Sequence, residues 1–96
     1  MNIEKSLTGT ELVVALEGRL DTMTAPALEK ELKESYGSIT ALVLDLEKLE
    51  YISSAGLRVI LGAQKAMSGK LIVKNPTDIV MEVLEVTGFA DILNIE

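Results

Sequence analysis

Two adjacent serines, Ser53 and Ser54, stand where an apolar stretch of the sequence gives way to an amphipathic one. They lie in the run Tyr51–Arg58, and Gly56 follows the second serine by two residues. A serine at the start of a helix can cap it, because its hydroxyl accepts a hydrogen bond from a backbone N–H that lacks a helical partner. The same place tolerates a phosphate, because a helix N-terminus favours negative charge. The pattern therefore leaves two roles open, a helix cap and a phosphorylation switch.

Residues suited to catalysis are scarce. The chain has no histidine and no cysteine, which removes the commonest general base, the commonest metal ligand and any thiol chemistry. Ser54 lies in Ser-Ala-Gly, not in a Gly-x-Ser-x-Gly elbow, and no glycine-rich phosphate loop occurs. Asp21 and Asp45 could pair at a metal, although lone acidic residues at strand ends are more often solvated or capping groups. We therefore predict a protein that is not an enzyme and that uses no metal or other cofactor.

Composition fits one small globular domain that covers residues 1–96. Apolar residues make up 48% and charged residues 25%, and only three aromatic residues occur, so we expect an aliphatic core. The net charge of −6 and the lack of a basic patch argue against binding to nucleic acid or to an anionic membrane. No apolar run approaches the ~20 residues that span a bilayer, and Met1–Lys5 lacks the features of a signal peptide. We expect a cytoplasmic protein that is monomeric when free.

The first third of the sequence predicts a hairpin followed by a helix. Residues 3–17 read as two short strands joined at Thr8-Gly9-Thr10. The segment Gly18–Asp21 breaks the alternation and is predicted to be a loop. A helix is predicted from Thr24 to Tyr36, because apolar residues recur at spacings of three and four and Pro26 falls in the first turn.

The remainder alternates strands and helices. The nearly continuous apolar run Ile39–Leu46 predicts a central strand buried on both faces, and Glu47–Ile52 is predicted to be a loop. Further elements are predicted in chain order: a helix over 55–67, a strand over 71–73, a helix that starts at Asn75-Pro76 as cap and first turn, and a short edge strand or an irregular tail over 89–95.

This order predicts an α/β fold in which a mixed, mostly parallel sheet carries its helices mainly on one side. Loops at the carboxyl ends of parallel strands are where functional residues usually collect. We expect both Gly18–Asp21 and Tyr51–Ser54 to lie at such an end.

Three segments resemble the STAS domain family, and more narrowly the bacterial anti-sigma factor antagonists. They are Gly18-Arg19-Leu20-Asp21, the hydrophobic strand that ends in Asp45-Leu46, and Tyr51-Ile52-Ser53-Ser54-Ala55-Gly56-Leu57. The order of predicted elements matches that family over essentially the whole chain. In the family, a serine at the start of the second helix is phosphorylated by a partner kinase that is also the anti-sigma factor. Aligned on Gly56-Leu57, that serine is Ser54; many members carry an aspartate where Ser53 stands here.

The resemblance implies a partner-switching cycle. The unmodified protein would bind a GHKL-type anti-sigma factor serine kinase and free a sigma factor, phosphorylation of Ser54 would end that binding, and a PP2C-like phosphatase would restore it. Residues implied at the partner surface are Asp21, Ser53, Ser54, Ala55, Gly56 and Arg58. Several structural roles stay open beside these. Ser54 could be the N-cap, Ser53 a loop residue, an alternative cap or a second phosphoacceptor, Asp21 a cap of the helix after it, and Leu57 a core residue.

A second function stays open as well. The chain could be a non-phosphorylated STAS module that assembles with a transport or signalling complex or senses a ligand.

Overall fold

The computed structural model describes all 96 residues, and its first elements form a hairpin. Strands β1 (Asn2–Thr8) and β2 (Glu11–Leu20) pair in antiparallel register, with Ile3 opposite Leu16. Gly9 joins them with φ of +63°, a left-handed conformation that glycine adopts without steric cost. The predicted hairpin is confirmed, and it is longer at its carboxyl end than the sequence indicated.

Strands and helices then alternate along the chain. They are α1 (Ala25–Ser35), β3 (Ala41–Ile52), α2 (Ser54–Ala66), β4 (Leu71–Lys74), α3 (Asp78–Val86) and β5 (Asn94–Ile95), with single 3-10 turns at Tyr36–Ser38 and Phe89–Asp91. The five strands lie in the order β1-β2-β3-β4-β5, and every neighbouring pair except the β1–β2 hairpin is parallel. The predicted α/β fold with a mixed, mostly parallel sheet is confirmed.

The core is aliphatic and lies between one face of the sheet and the helices. Because side chains alternate across a strand, only every second residue of β2 and β3 faces this core. Val14 of β2 and Leu44 of β3 pack there in one cluster with residues of all three helices, namely Leu28, Ile60 and Leu84, and all five are fully buried. No helix has both the length and the apolar character needed to cross a membrane.

The two segments predicted as loops, Gly18–Asp21 and Glu47–Ile52, are strand except for Asp21, which is the main correction to the sequence-based interpretation. Strand β2 continues through Gly18, whose φ of +105° absorbs a shift in register, and ends at Leu20. Strand β3 continues to Ile52, although Lys48 and Glu50 made this stretch look like a loop. These charged residues are tolerated because β4 stops pairing with β3 at Asp45, which leaves the rest of β3 bonded to β2 alone.

The start of the third helix is a second correction. Asn75 adopts a φ of +55° in the turn before the helix and is not its cap. The cap is Thr77, whose hydroxyl accepts from the N–H of Val80 at 3.4 Å and donates to the carbonyl of Leu49 at 3.0 Å. Of the two alternatives for residues 89–95, the short edge strand is confirmed only for Asn94–Ile95, where β5 pairs with β4 at the end of the sheet, whereas Phe89–Asp91 form a 3-10 turn.

Candidate functional site

Strands β2 and β3 end side by side, and each is followed by the start of a helix. Leu20 pairs with Ile52 in parallel register, and the N–H of Ser53 donates to the carbonyl of Leu20 at 2.9 Å. The first residues of α1 and α2 therefore meet at one edge of the sheet. We call this edge the rim and define it as residues 21–24 and 53–55. The expectation that the two predicted segments lie at the same sheet end is met by this arrangement.

Ser53 caps α2. Its backbone is extended, with φ of −101° and ψ of 175°, which is the usual N-cap geometry, and its hydroxyl accepts from the N–H of Gly56 at 3.5 Å. Its carbonyl accepts from the N–H of Leu57 at 3.0 Å, as the first helical bond. The prediction that Ser54 could be the cap is wrong, and the alternative that Ser53 serves as cap is confirmed. The observed cap lies one residue before the predicted one, because an N-cap residue has an extended backbone and Ser54 is already helical.

Ser54 is the first residue inside α2, and its side chain is exposed. Its hydroxyl makes no hydrogen bond to any other group of the protein, since the capping bond at this helix comes from Ser53. The structure therefore presents two neighbouring serines with different tasks. One hydroxyl faces the first helical turn, and the other faces solvent, where an enzyme could reach it.

Gly56 lies beneath the rim and is buried. A Cβ atom built on it would lie 2.6 Å from Cγ of Leu20 and 3.0 Å from Cγ1 of Ile52, closer than side chains tolerate. The glycine thus lets α2 begin directly against the ends of both strands. Leu57, which is 6% exposed, packs in the core, which confirms the expectation that it could be a core residue. Gly56 was predicted at the partner surface, but the structure does not bring it there.

Asp21 organises the start of α1. Its Oδ1 accepts from the N–H groups of Met23 at 3.0 Å and Thr24 at 3.1 Å, so Asp21 caps the turn that leads into α1. The N-cap residue of α1 itself is Thr24, which makes no side-chain capping bond. The hydroxyl of Thr24 accepts from the N–H of Asp21 at 2.9 Å and lies within donating distance of the carbonyl of Arg19, at 2.8 Å. Desolvation pushes the pKa of Asp21 upward, but hydrogen bonds from Thr24 and Met23 and the charge of Arg19 outweigh it and hold the pKa below its usual value.

Arg19 and Tyr51 form a contact that the sequence did not reveal. The guanidinium carbon of Arg19 lies 4.3 Å from the centre of the Tyr51 ring, and its Nε lies 3.8 Å from Oδ2 of Asp21. Arg19 and Tyr51 are partners in the β2–β3 register, so the contact could be found only once both segments were known to be strands. The contact places the Arg19 guanidinium near Asp21.

A groove runs between the first turns of α1 and α2. It has a volume of about 260 Å³ and is lined by residues of both helices and the rim: Thr22, Ala25, Pro26, Glu29, Ala55, Arg58 and Val59. Arg58 is exposed one turn into α2, and Met23, at the rim, is 86% exposed. Of the predicted partner-surface residues, Asp21, Ser53, Ser54 and Ala55 therefore lie on the rim and Arg58 lies on the groove wall.

Asp21 and Asp45, which could have paired at a metal, do not lie together. Asp45 lies in the middle of β3, opposite Ala15, and the rest of that strand separates it from the rim. Its Oδ1 accepts from the N–H of Glu47 at 3.1 Å and from the amide of Asn75 at 3.4 Å. No group of three or more acidic side chains is arranged to hold a metal ion.

The model of the STAS domain matches residues 2–96 of the chain. The chain is 39% identical over 85 residues to BtrV of Bordetella bronchiseptica, which carries a provisional designation as an anti-sigma factor antagonist; the match covers 84% of this chain and 73% of that protein. It is 33% identical over 88 residues to the anti-sigma-B factor antagonist of Listeria monocytogenes, covering 86% of this chain and 76% of the relative.

Solved structures share the fold. The unphosphorylated form of the anti-sigma factor antagonist SpoIIAA superposes with a TM-score of 0.86 at 20% identity, over 99% of this chain and 88% of that one. The phosphorylated form of SpoIIAA from Bacillus gives 0.78 at 20% identity, over 99% and 91%. An anti-sigma factor antagonist from Mycobacterium paratuberculosis gives 0.88 at 24% identity, over 98% and 83%. At these identities the likeness establishes the fold alone.

Proposed function

The chain belongs to the STAS domain family, and from that membership we propose that it is an anti-sigma factor antagonist controlled by phosphorylation of Ser54. Residues 1–96 act as one domain. In the unmodified state the rim binds an anti-sigma factor that is a GHKL-type serine kinase, and a sigma factor is released. Phosphate on Ser54 ends this binding, and a PP2C-like phosphatase restores it. This role is supported by relatives named as anti-sigma factor antagonists, because the chain matches most of their length.

The observation that carries the proposal is the free hydroxyl of Ser54. A kinase needs a hydroxyl that is exposed and not already engaged, and Ser54 meets both conditions because Ser53 supplies the cap. No base is hydrogen-bonded to Ser54, so the residue is suited to receive a phosphate and not to act as a nucleophile of its own. The protein acts by binding, and we propose no catalytic activity for it.

A phosphate at this place acts locally. It adds roughly −1.5 to −2 charges, and the N-terminus of α2 can hold that charge in water without rearrangement. Against a partner, the same charge must be desolvated or displaced. A loss of about 2.8 kcal/mol weakens binding about a hundredfold, so the switch needs no refolding. Gly56 and Leu57, buried just below, keep the helix start fixed against the sheet in both states.

The test is a calorimetric titration of a candidate kinase with the protein in two forms, unmodified and phosphorylated on Ser54. ADP replaces ATP so that no transfer occurs. We expect binding to be about a hundredfold weaker for the phosphorylated form. Ser54→Ala should bind like the unmodified protein, and Ser54→Asp should be weakened less than the phosphorylated protein, because a carboxylate has less charge and fewer acceptor atoms.

Phosphoserine placed at Ser38 is the matched control. Ser38 is exposed in the 3-10 turn after α1, at the opposite end of that helix from the rim. A phosphate on Ser38 changes the net charge as much as one on Ser54. Binding should nevertheless stay within about twofold of the unmodified protein, because this charge lies outside the interface and is screened. Equal affinities for the unmodified and Ser54-phosphorylated forms contradict the proposal, as does an equal loss from phosphate at either site.

A further inference from the structure

Arg58 lies on α2 four residues after Ser54, and its charge has no partner. Residues spaced by four lie one above the other on a helix surface. Arg58 is exposed on the groove wall, and it takes part in none of the ion pairs, cation–π contacts or side-chain hydrogen bonds of the structure. An unpaired cation therefore stands one turn below the free hydroxyl of Ser54.

Arg19 and Glu29, two other charged side chains near the rim and the groove, each have an oppositely charged neighbour. Arg19, the chain's only other arginine, lies over Tyr51 and near Asp21. Glu29, which faces the groove from α1, has its Oε1 3.8 Å from Nζ of Lys33. Arg58 is thus the cation whose charge is left uncommitted where the two helices begin.

We propose that Arg58 is the intramolecular counter-ion of a phosphate on Ser54. The inference rests on the proposed function, which makes Ser54 the phosphoacceptor. Helical side chains lean toward the helix N-terminus, so a side chain as long as that of Arg58 can reach back over the turn that Ser54 begins. An acidic group placed four residues before a basic one is the favourable order of such pairs. The guanidinium also matches a phosphate in geometry, because it can donate two parallel hydrogen bonds.

The pairing changes more of the surface than Ser54 itself. In the unmodified protein, Arg58 gives the groove a positive wall beside Ala55 and Val59. Once it pairs with the phosphate, that charge is withdrawn from the groove. Phosphorylation therefore both adds an anion at the rim and neutralises the cation that a partner would meet next to it.

The test uses protein synthesised with phosphoserine at position 54, so that no kinase is needed, and follows the phosphate by phosphorus NMR across pH. The second pKa of phosphoserine is about 6, and a cation that pairs with the dianion lowers it. Removing the charge with Arg58→Gln should raise this pKa by about 0.3, the shift that corresponds to an ordinary pair spaced by four residues. Arg58→Lys should keep most of the lowering.

Lys65→Gln is the matched control, because Lys65 lies in the last turn of α2 and its loss removes an equal charge far from Ser54. The phosphate on Ser54 of this variant should have the same pKa as in the parent protein. Equal phosphate pKa values in the parent and Arg58→Gln overturn the inference, as does an equal rise in Arg58→Gln and Lys65→Gln. The result is separate from the proposed function: a kinase that ignores Ser54 overturns that function but leaves the measured pairing in place.

Discussion

Helices α1 and α2 begin next to each other at the rim, yet they use their hydroxyl groups in opposite ways. At α1, the hydroxyl of Thr24 is held between the N–H of Asp21 and the carbonyl of Arg19, at 2.9 Å and 2.8 Å. At α2, Ser53 makes a single long capping bond of 3.5 Å, and the hydroxyl of Ser54 makes none. At the start of α1 the polar side chains are hydrogen-bonded to neighbouring groups of the protein, whereas at the start of α2 the hydroxyl of Ser54 has no hydrogen-bond partner.

This difference separates a structural residue from a candidate site. A hydroxyl with several internal partners stabilises the fold and is costly to modify, because those partners would be left unsatisfied. A hydroxyl that is exposed and without partners contributes little to stability, so it can be changed chemically while the domain stays folded. The comparison therefore predicts that substitutions at the two helix starts differ in their effect on the free energy of unfolding.

The largest effect is expected beneath the rim, at Gly56. In Gly56→Ala the new methyl group meets Leu20 and Ile52, and the overpacking should lower the free energy of unfolding by about 1–3 kcal/mol. Gly62→Ala, in the same helix with open space around its Cα, should instead raise it by up to about 1 kcal/mol. Urea denaturation measures both. If Gly56→Ala is as stable as Gly62→Ala, α2 does not start as close to the strand ends as described.

The next largest change in stability is expected at the start of α1. Thr24→Val removes the hydroxyl that joins Asp21 to Arg19 and should lower the free energy of unfolding by about 1–2 kcal/mol. Thr22 is exposed and its hydroxyl makes no hydrogen bond, so Thr22→Val should change stability by less than about 0.5 kcal/mol. Similar losses in the two variants, seen in the same denaturation experiment, would mean that the Thr24 bonds do not hold α1 in place.

The two serines should differ by a smaller amount. Ser53→Ala removes the cap of α2 and should cost about 0.5–1 kcal/mol, the lower part of the usual range because the bond is long. Ser54→Ala should lie within about 0.5 kcal/mol of the parent protein. Thermal unfolding followed by circular dichroism compares them. A larger loss in Ser54→Ala than in Ser53→Ala would reverse the assignment of cap and free hydroxyl.

The smallest effect is a pH dependence of stability, which we expect at the start of α1 and not at the start of α2. Since the pKa of Asp21 is lower in the folded protein than in the unfolded chain, its contribution to stability is present above the unfolded pKa, which is ordinarily about 3.9. That contribution is lost as the pH falls through the folded pKa. The stability difference between the parent and Asp21→Asn should therefore shrink from neutral pH to strongly acidic pH. A stability difference that is constant over this range contradicts the role given to the charged Asp21 carboxylate in the turn before α1.

The sequence predicted the order of the elements and the parallel sheet, because the periodicity of apolar residues directly reflects which residues face the core. It failed where strands end. Gly18 looked like a loop residue although it forms a bulge, and Lys48 and Glu50 are tolerated in β3 only because that half of the strand has one neighbour. Such facts depend on pairing between distant segments, which no local pattern contains.

The candidate site shows the same limit at finer scale. The resemblance of Tyr51–Leu57 to a known motif pointed to Ser54, but the choice of cap between two adjacent serines depends on the backbone angles of Ser53. The contact of Arg19 with Tyr51 requires the register of β2 and β3. Sequence spacing alone placed Arg58 one turn after Ser54, and the structure adds that its charge is unpaired.

A phosphate-transfer experiment shows whether the free hydroxyl of Ser54 is the phosphoacceptor. The parent protein, Ser53→Ala and Ser54→Ala are each incubated with a candidate GHKL-type kinase and ATP, and the phosphate is located by mass spectrometry of peptides. We expect phosphate on Ser54 in the parent and in Ser53→Ala, and none in Ser54→Ala. Phosphate on Ser53, or normal labelling of Ser54→Ala, contradicts it. If no serine is labelled by any cognate kinase, the non-phosphorylated STAS module replaces the switch.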